Sequence, residues 1–577
     1  MKSTTWVRRL SLATAWVLLA AANAPAADTP DSEIFSSELR PSLERYAADL
    51  HSLNRTYPIR LSPTRRARFD KFFAEQETAL SSFDFDALSP DGRIDYILLK
   101  NQLAHERRRL QSDAAEVAAL EPLIPFFKAI IGLEEARRRM EAVNSKVTAT
   151  LLANMLHAIA DARKTNNGKV DPALANRAST FLASLRRDLK GWYNFYEGYD
   201  PLFTWWVAEP YKQVDQALDA YSRFLREGAS GIRLDDPEAI PGDPVGRDAL
   251  MEELSYQMIP YTPEELIAIA KKDYAWSEAE MIRASRELKY GDDWHQALEY
   301  VKNDYVDPGK QPELVRRLAE EAIDYVTKHD LVTIPPLARE DWWEEMLSPQ
   351  RQLTSPFFLG GDHILVAFPT NTMTQEQKLM SLRGNNIHFA RATVFHELIP
   401  GHHLQGFMAD RYRTYRAPFA TPFWTEGDAF YWEMLLWDMG FAQTPEDRIG
   451  MLFWRMHRSA RIIFSLSYHM KHMTAQECVD FLVDKVGFER ENALAEVRRS
   501  FDGSYEPIYQ CAYMLGALQF YALHKELVDS GKMTNRAFHD AILKENRIPV
   551  EMIRADLTNQ KLTRDFKTNW RFYNLAP

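Results

Sequence analysis

The chain has 577 residues and a mass of 66.7 kDa, and its 46% hydrophobic, 26% charged and 12% aromatic content is that of a globular protein with large cores. Disorder, collagen and long coiled coils are excluded. Gly is scarce at 23 residues, too few for the turns of a sandwich or barrel, and the net charge of −11 argues against nucleic acid as a partner. The expected fold is mainly α, a large helical array with a small β-sheet beside a central cleft.

Residues 1–26 read as an export leader: Lys2, Arg8 and Arg9 supply the positive end, Leu10 to Ala22 the apolar run, and Ala24-Pro25-Ala26 the cleavage site. The run is shorter than the roughly 20 residues needed to span a bilayer. Its removal takes Lys+Arg from 70 to 67 against 81 Asp+Glu, so the net charge falls to −14. The expected product is exported, periplasmic or secreted, with no membrane association once the leader is gone. Cys478 and Cys511 are expected to be two buried thiols.

Residues 27–239 form the first expected region. Helical periodicity runs from Asp31 to about Tyr221, clearest over Phe69–Leu80 and Leu174–Tyr193. The segment Asp200-Pro201-Leu202-Phe203-Thr204-Trp205-Trp206 is a candidate wall of the cleft. A turn-rich stretch at Ile240-Pro241-Gly242-Asp243-Pro244 marks the expected boundary. Residues 240–577 form the second region, where Thr262 is the expected N-cap of a helix with Pro263 at its first position. Between 331 and 369 the period changes: Leu331-Val332-Thr333-Ile334 and His363 to Phe368 are short runs closed by prolines, the only strand territory. Site helices are expected over 376–440 and 505–530.

The sharpest signal is Val394-Phe395-His396-Glu397-Leu398-Ile399-Pro400-Gly401-His402-His403-Leu404-Gln405. It begins like the H-E-x-x-H zinc helix, in which two histidines four apart bind one Zn²⁺ and the Glu acts as general base. Here proline occupies the place of the second histidine, and proline breaks a regular helix. If Pro400-Gly401 form a two-residue insertion, His402 takes the second ligand position; His403 is the alternate. Thirty residues after His396, Glu426 opens an aromatic helix through Glu433 and is the natural third ligand of a His₂Glu site.

The pair His396-Glu397-x-x-Pro400-Gly401-His402-His403-x-Gln405 and Glu426-Gly427-x-Ala429-x-Tyr431-x-Glu433 resembles the bacterial domain-of-unknown-function 885 family, itself similar to gluzincin metallopeptidases. The resemblance runs from about Phe35 to Trp570. It implies a helical metallopeptidase fold, zinc on His396, His402 and Glu426, and Glu397 as base. Asp428 departs from the family, where Trp is usual. By the same resemblance Tyr513 lies at the family's Tyr-x-x-Gly position and would donate to a tetrahedral oxyanion, with Gln510 in support. Ile508-Tyr509-Gln510 stands where the family usually has Pro-Gly-Gln.

Arg458 and Arg461, three apart on one helix, are candidates to hold a substrate carboxylate, or else form a salt-bridged stripe. The leading expectation is an exported zinc peptidase acting on short peptides. A metal-independent helical peptide-binding protein and a zinc hydrolase of a non-peptide amide are the alternatives. Gluzincin resemblance further implies that the peptide backbone adds along an exposed edge of the strand from His363 to Phe368.

Overall fold

Helix starts follow the capping residues. Thr262 forms a capping box with Glu265: its hydroxyl accepts from the Glu265 N–H at 3.2 Å, and the Glu265 carboxylate accepts from the Thr262 N–H at 2.8 Å. Ser62, Ser89, Asp171 and Thr444 cap other helices with the side chain alone, each accepting one backbone N–H three residues on and each followed by proline in the first turn. The computed structural model describes residues 37–166, 170–229, 239–240, 242–352 and 355–573; the expected leader over 1–26 lies outside the described residues. Helix makes up 70% of the structure, and the periodic segments around Phe69 and Leu174 fall in helices Pro63–Ser81 and Pro172–Tyr196.

The described residues from 37 onward gather into one compact unit, and its packing does not follow chain order. One large core joins residues from Leu39 to Leu103 with residues from Leu250 to Leu562. A second core takes Ile59, Leu61 and residues from Leu120 to Leu225. The division therefore crosses the Pro90–Leu120 helix, whose 31 residues extend about 46 Å, enough to serve two cores. A buried ionic cluster ties this helix to the C-terminal region: Arg416 Nε is 2.7 Å from Asp95, Arg413 Nη2 is 2.9 Å from Asp91, and both arginines meet Glu545.

Among the described residues the sheet has two strands, β1 (Glu344–Met346) and β2 (Ile364–Val366), parallel with Glu344 opposite Ile364. Leu331-Val332-Thr333-Ile334 is not a strand; Leu331 and Val332 are buried in the large core, so their apolar character reflects packing of a connection, and Pro335 then caps a short helix. The second run is narrower than its apolar span. Both edges of β2 are occupied, since Ile364 N–H and Val366 C=O bond toward β1 while Leu365 exchanges two bonds with Leu359, at 2.7 and 3.1 Å. An interior strand has no free ladder groups, so the expected docking of substrate along 363–368 is ruled out.

Six helices carry the site, labelled here in chain order: α1 (Ile387–Glu397), α2 (His402–Ala409), α3 (Pro422–Asp438), α4 (Pro445–His469), α5 (Arg490–Phe501) and α6 (Tyr509–His524). α3 and α6 cross at Gly427 and Gly516, where a Cβ on Gly516 would collide with the Phe423 carbonyl and sit 2.7 Å from the Gly427 Cα. Backbone contact at that crossing sets Glu426 beside the first turns of α6. Cys478 and Cys511 are buried and unpaired, and burial pushes both thiols up to about 12.

Candidate metal centre

Pro400 ends α1 at Glu397, and the chain turns through Leu398 to Gly401 before α2 begins at His402. Gly401 donates to the Phe395 carbonyl at 3.0 Å, and a Cβ there would collide with the His396 carbonyl. Only glycine permits this return, and it places the His402 ring 4.8 Å from the His396 ring. From α3, Glu426 Oε2 lies 3.6 Å from His396 Nε2 and 3.3 Å from His402 Nε2. These three residues form a metal-capable group whose ligand atoms all lie within 4.8 Å of one another.

The donor set fits zinc. Ligand atoms about 2.0–2.2 Å from a tetrahedral ion stand roughly 3.3–3.6 Å apart; the two edges from Glu426 fall in that range, and the third, between the two histidines, is within 4.8 Å. The outer atoms of each ligand are held as a metal site requires. His396 Nδ1 donates to Glu433 Oε1 at 2.8 Å. His402 Nδ1 donates to Gln405 Oε1 at 3.0 Å, and Gln405 Nε2 donates in turn to Asp428 Oδ2 at 2.8 Å and the Thr425 carbonyl at 3.1 Å. Tyr509 Oη donates to Glu426 Oε1. Both imidazoles therefore present Nε2 to the shared centre.

Electrostatics agree with a site made for a cation. Burial opposes ionisation of Glu426, but His402 and His396 outweigh it and hold the carboxyl well below its ordinary value. Burial likewise opposes charging of His402, and Glu426 with Glu397 raises it to about 9. A divalent ion would replace that proton. Burial raises Glu397, against the pull of His402 and His396; its Oε2 is 3.9 Å from His402 Nε2. Burial also pushes Asp428, the departure from the family pattern, up to about 7, where it serves as the far end of the Gln405 support.

The ligands open onto a cavity of about 210 Å³ that Glu397, Tyr513, Arg458 and Arg461 also line. Gly360 forms part of its wall, and a Cβ there would collide with the Glu397 carbonyl and sit 2.6 Å from its Oε2. Tyr513 lies with its ring 6.3 Å from His396 and nearly parallel to it. Burial pushes its hydroxyl up to about 12, so it keeps its proton at neutral pH.

Two expected residues and one expected segment stand elsewhere. His403 Nε2 is engaged with the Ala338 carbonyl at 2.9 Å and does not join the converging ligand atoms, so it is not the alternate ligand; the one-residue step along α2 turns it off the face that carries His402. Gln510 is buried and does not line the cavity; its neighbours Tyr509 and Tyr513 do. The 200–206 segment does not line it either: Trp205 is 81% exposed and Phe203 packs in the second core. Sequence reasoning assigned no role to Glu433, Tyr509 or Arg499. Glu433 follows Glu426 by seven residues, two helical turns on one face, which was the available signal; Tyr509 and Arg499 reach the site through tertiary packing.

No curated protein compared with this chain matches it. Several solved structures share the fold, among them these two. A protein from Shewanella oneidensis described as a lipoprotein of unknown function has a TM-score of 0.66 at 18% identity, covering 89% of this chain and 98% of its own. Another described as a lipoprotein, from Colwellia psychrerythraea, has a TM-score of 0.56 at 14% identity, covering 90% of this chain and 97% of its own. The family model for bacterial proteins of unknown function, DUF885, matches residues 46–557, so the chain belongs to that family.

Proposed function

We propose that the protein is an exported zinc-dependent hydrolase that cleaves short peptides. The observation that carries this reading is the convergence of His396 Nε2, His402 Nε2 and Glu426 Oε2 with the Glu397 carboxylate beside them in one cavity. Zn²⁺ held by these three residues supplies a Lewis acid for the scissile carbonyl and lowers the pKa of water. Glu397, buried and raised above an ordinary carboxyl, is suited to take a proton from the attacking water and return it to the leaving amine. Tyr513, still protonated, can donate to the developing oxyanion. Glu433 and Gln405 keep the imidazoles oriented. Support for export comes from the leader-like residues 1–26 and from the two structural neighbours described as lipoproteins. No described helix is long and apolar enough to cross a membrane.

The test is Glu397→Gln. This variant should retain one zinc per chain and an unchanged melting transition while hydrolysis of a peptide library falls by about 10²–10⁴. Hydrolysis at the wild-type rate refutes the assignment.

A further inference from the structure

Beyond the metal ligands the cavity is built around buried positive charge. Arg458 and Arg461 of α4 and Arg499 of α5 all line it, and all are more than nine-tenths buried. Among the described residues, two carboxylates lie within ion-pair distance of them. Glu433 lies 3.7 Å from Arg458 Nη2 but already accepts from His396. Glu496 lies 2.6 Å from Arg461 Nε and 4.0 Å from Arg499 Nη1, and is shared between them. His457, 3.3 Å from Glu496, adds no charge, because burial and Arg461 drive it down to about 3. Three guanidiniums thus share two carboxylates, one of which also serves a metal ligand.

Donors are left over as well. Arg458 Nε, Arg461 Nη1 and Arg499 Nε are buried without hydrogen-bond partners, an arrangement that is costly unless something completes it. Among the described residues the acids lining the cavity are Glu397 and Glu426, one beside the ligand atoms and the other one of them, so no further acid is described there for a substrate ammonium. The Tyr513 ring bridges the two groups: its centroid is 4.2 Å from the Arg461 guanidinium, 4.6 Å from that of Arg458 and 6.3 Å from the His396 ring. Arg458 and Arg461 therefore stand within about three residues of extended chain from the metal ligands.

We infer that Arg458, Arg461 and Arg499 bind the free C-terminal carboxylate of the substrate. The protein is then a carboxypeptidase-type enzyme releasing one to three residues from the C-terminus. Planar guanidiniums suit a carboxylate, and a buried excess cation favours an anionic chain end over an amide or an internal segment. Turnover in this form rests on the peptidase reading; carboxylate binding does not.

The test uses the full chain, zinc-loaded, with an N-acetylated tripeptide supplied as free acid and as C-terminal amide. Binding is measured by calorimetry in the Glu397→Gln background, and cleavage in the wild type. The acid should bind about 10- to 100-fold more tightly than the amide. Adding Arg458→Gln or Arg499→Gln should reduce that preference to less than about threefold, with zinc content retained. Arg499→Gln leaves Glu496 paired with Arg461, and the acid-to-amide comparison itself needs no arginine variant. Equal affinity for acid and amide, including no binding of either, overturns the inference, as does a preference that survives both arginine substitutions. Acid preference without any cleavage in the wild type supports the subsite and refutes the peptidase reading.

Discussion

Glu433→Gln separates a metal centre from a mere histidine cluster. Glu433 is 4% exposed and His396 2%, and the Oε1 to Nδ1 distance is 2.8 Å. Glutamine retains an acceptor at Oε1, so the imidazole keeps its orientation and loses only the negative charge behind it. A buried hydrogen bond to a charged group contributes about 1.5–3 kcal/mol and a neutral one about 1 kcal/mol. The difference, roughly 0.5–2 kcal/mol, corresponds to a loss of zinc affinity of about 2- to 30-fold, whose upper part overlaps the 10- to 100-fold span usual for such supporting groups. Arg458 also loses its nearest carboxylate, 3.7 Å away, which lowers the melting temperature of the metal-free protein as a separate effect. Competition with a chromophoric chelator reads the zinc affinity, and thermal unfolding in excess chelator reads the second effect. Zinc affinity within about twofold of wild type, in a folded variant, would show that Glu433 does not support a metal ligand.

His402→Ala and Glu426→Ala should each abolish stoichiometric zinc while His403→Ala retains it; elemental analysis of the three decides, and loss in His403→Ala alone would contradict the observed geometry. Gly516→Ala forces α3 and α6 apart at the Phe423 carbonyl and should destabilise the fold by about 1–3 kcal/mol despite a gain of about 1 kcal/mol in helix propensity. Denaturant unfolding measures it, and an unchanged midpoint would mean that the crossing is looser than described. His539, bonded to Tyr431 Oη at 2.9 Å and the Leu331 carbonyl at 2.8 Å, is driven down to about 3, chiefly by burial. The unfolded imidazole takes its proton near pH 6.5 and the folded one does not, so stability falls with pH between about 6.5 and 3, by about 2 kcal/mol from this residue on going from pH 6.5 to 5. A His539→Gln variant that keeps the wild-type slope in that window would remove the assignment.

Local chemistry determined much of this protein from sequence alone. Helical periodicity, caps such as Thr262 and the shortage of glycine specify a mainly α fold, because these signals act within one or two turns of chain. His396, Glu397, His402 and Glu426 are legible as a group because three of them fall within seven residues and the fourth begins the acidic and aromatic run Glu426–Glu433, which the structure places one turn inside the helix Pro422–Asp438. Of the two expected strand runs, 363–368 holds a strand at Ile364–Val366, apolar because it is interior and not an open edge, whereas Leu331 and Val332 are apolar because a connection crosses the core. Only the tertiary structure decided which of two adjacent histidines faces the centre, since that depends on how the Pro400-Gly401 turn closes on the His396 carbonyl. The arginine cluster was half visible in the spacing of Arg458 and Arg461. Arg499, from a separate helix, and the sharing of Glu433 and Glu496 arise from packing between elements far apart in sequence. Charge balance in a buried site depends on distances across the fold, and no window of sequence contains them.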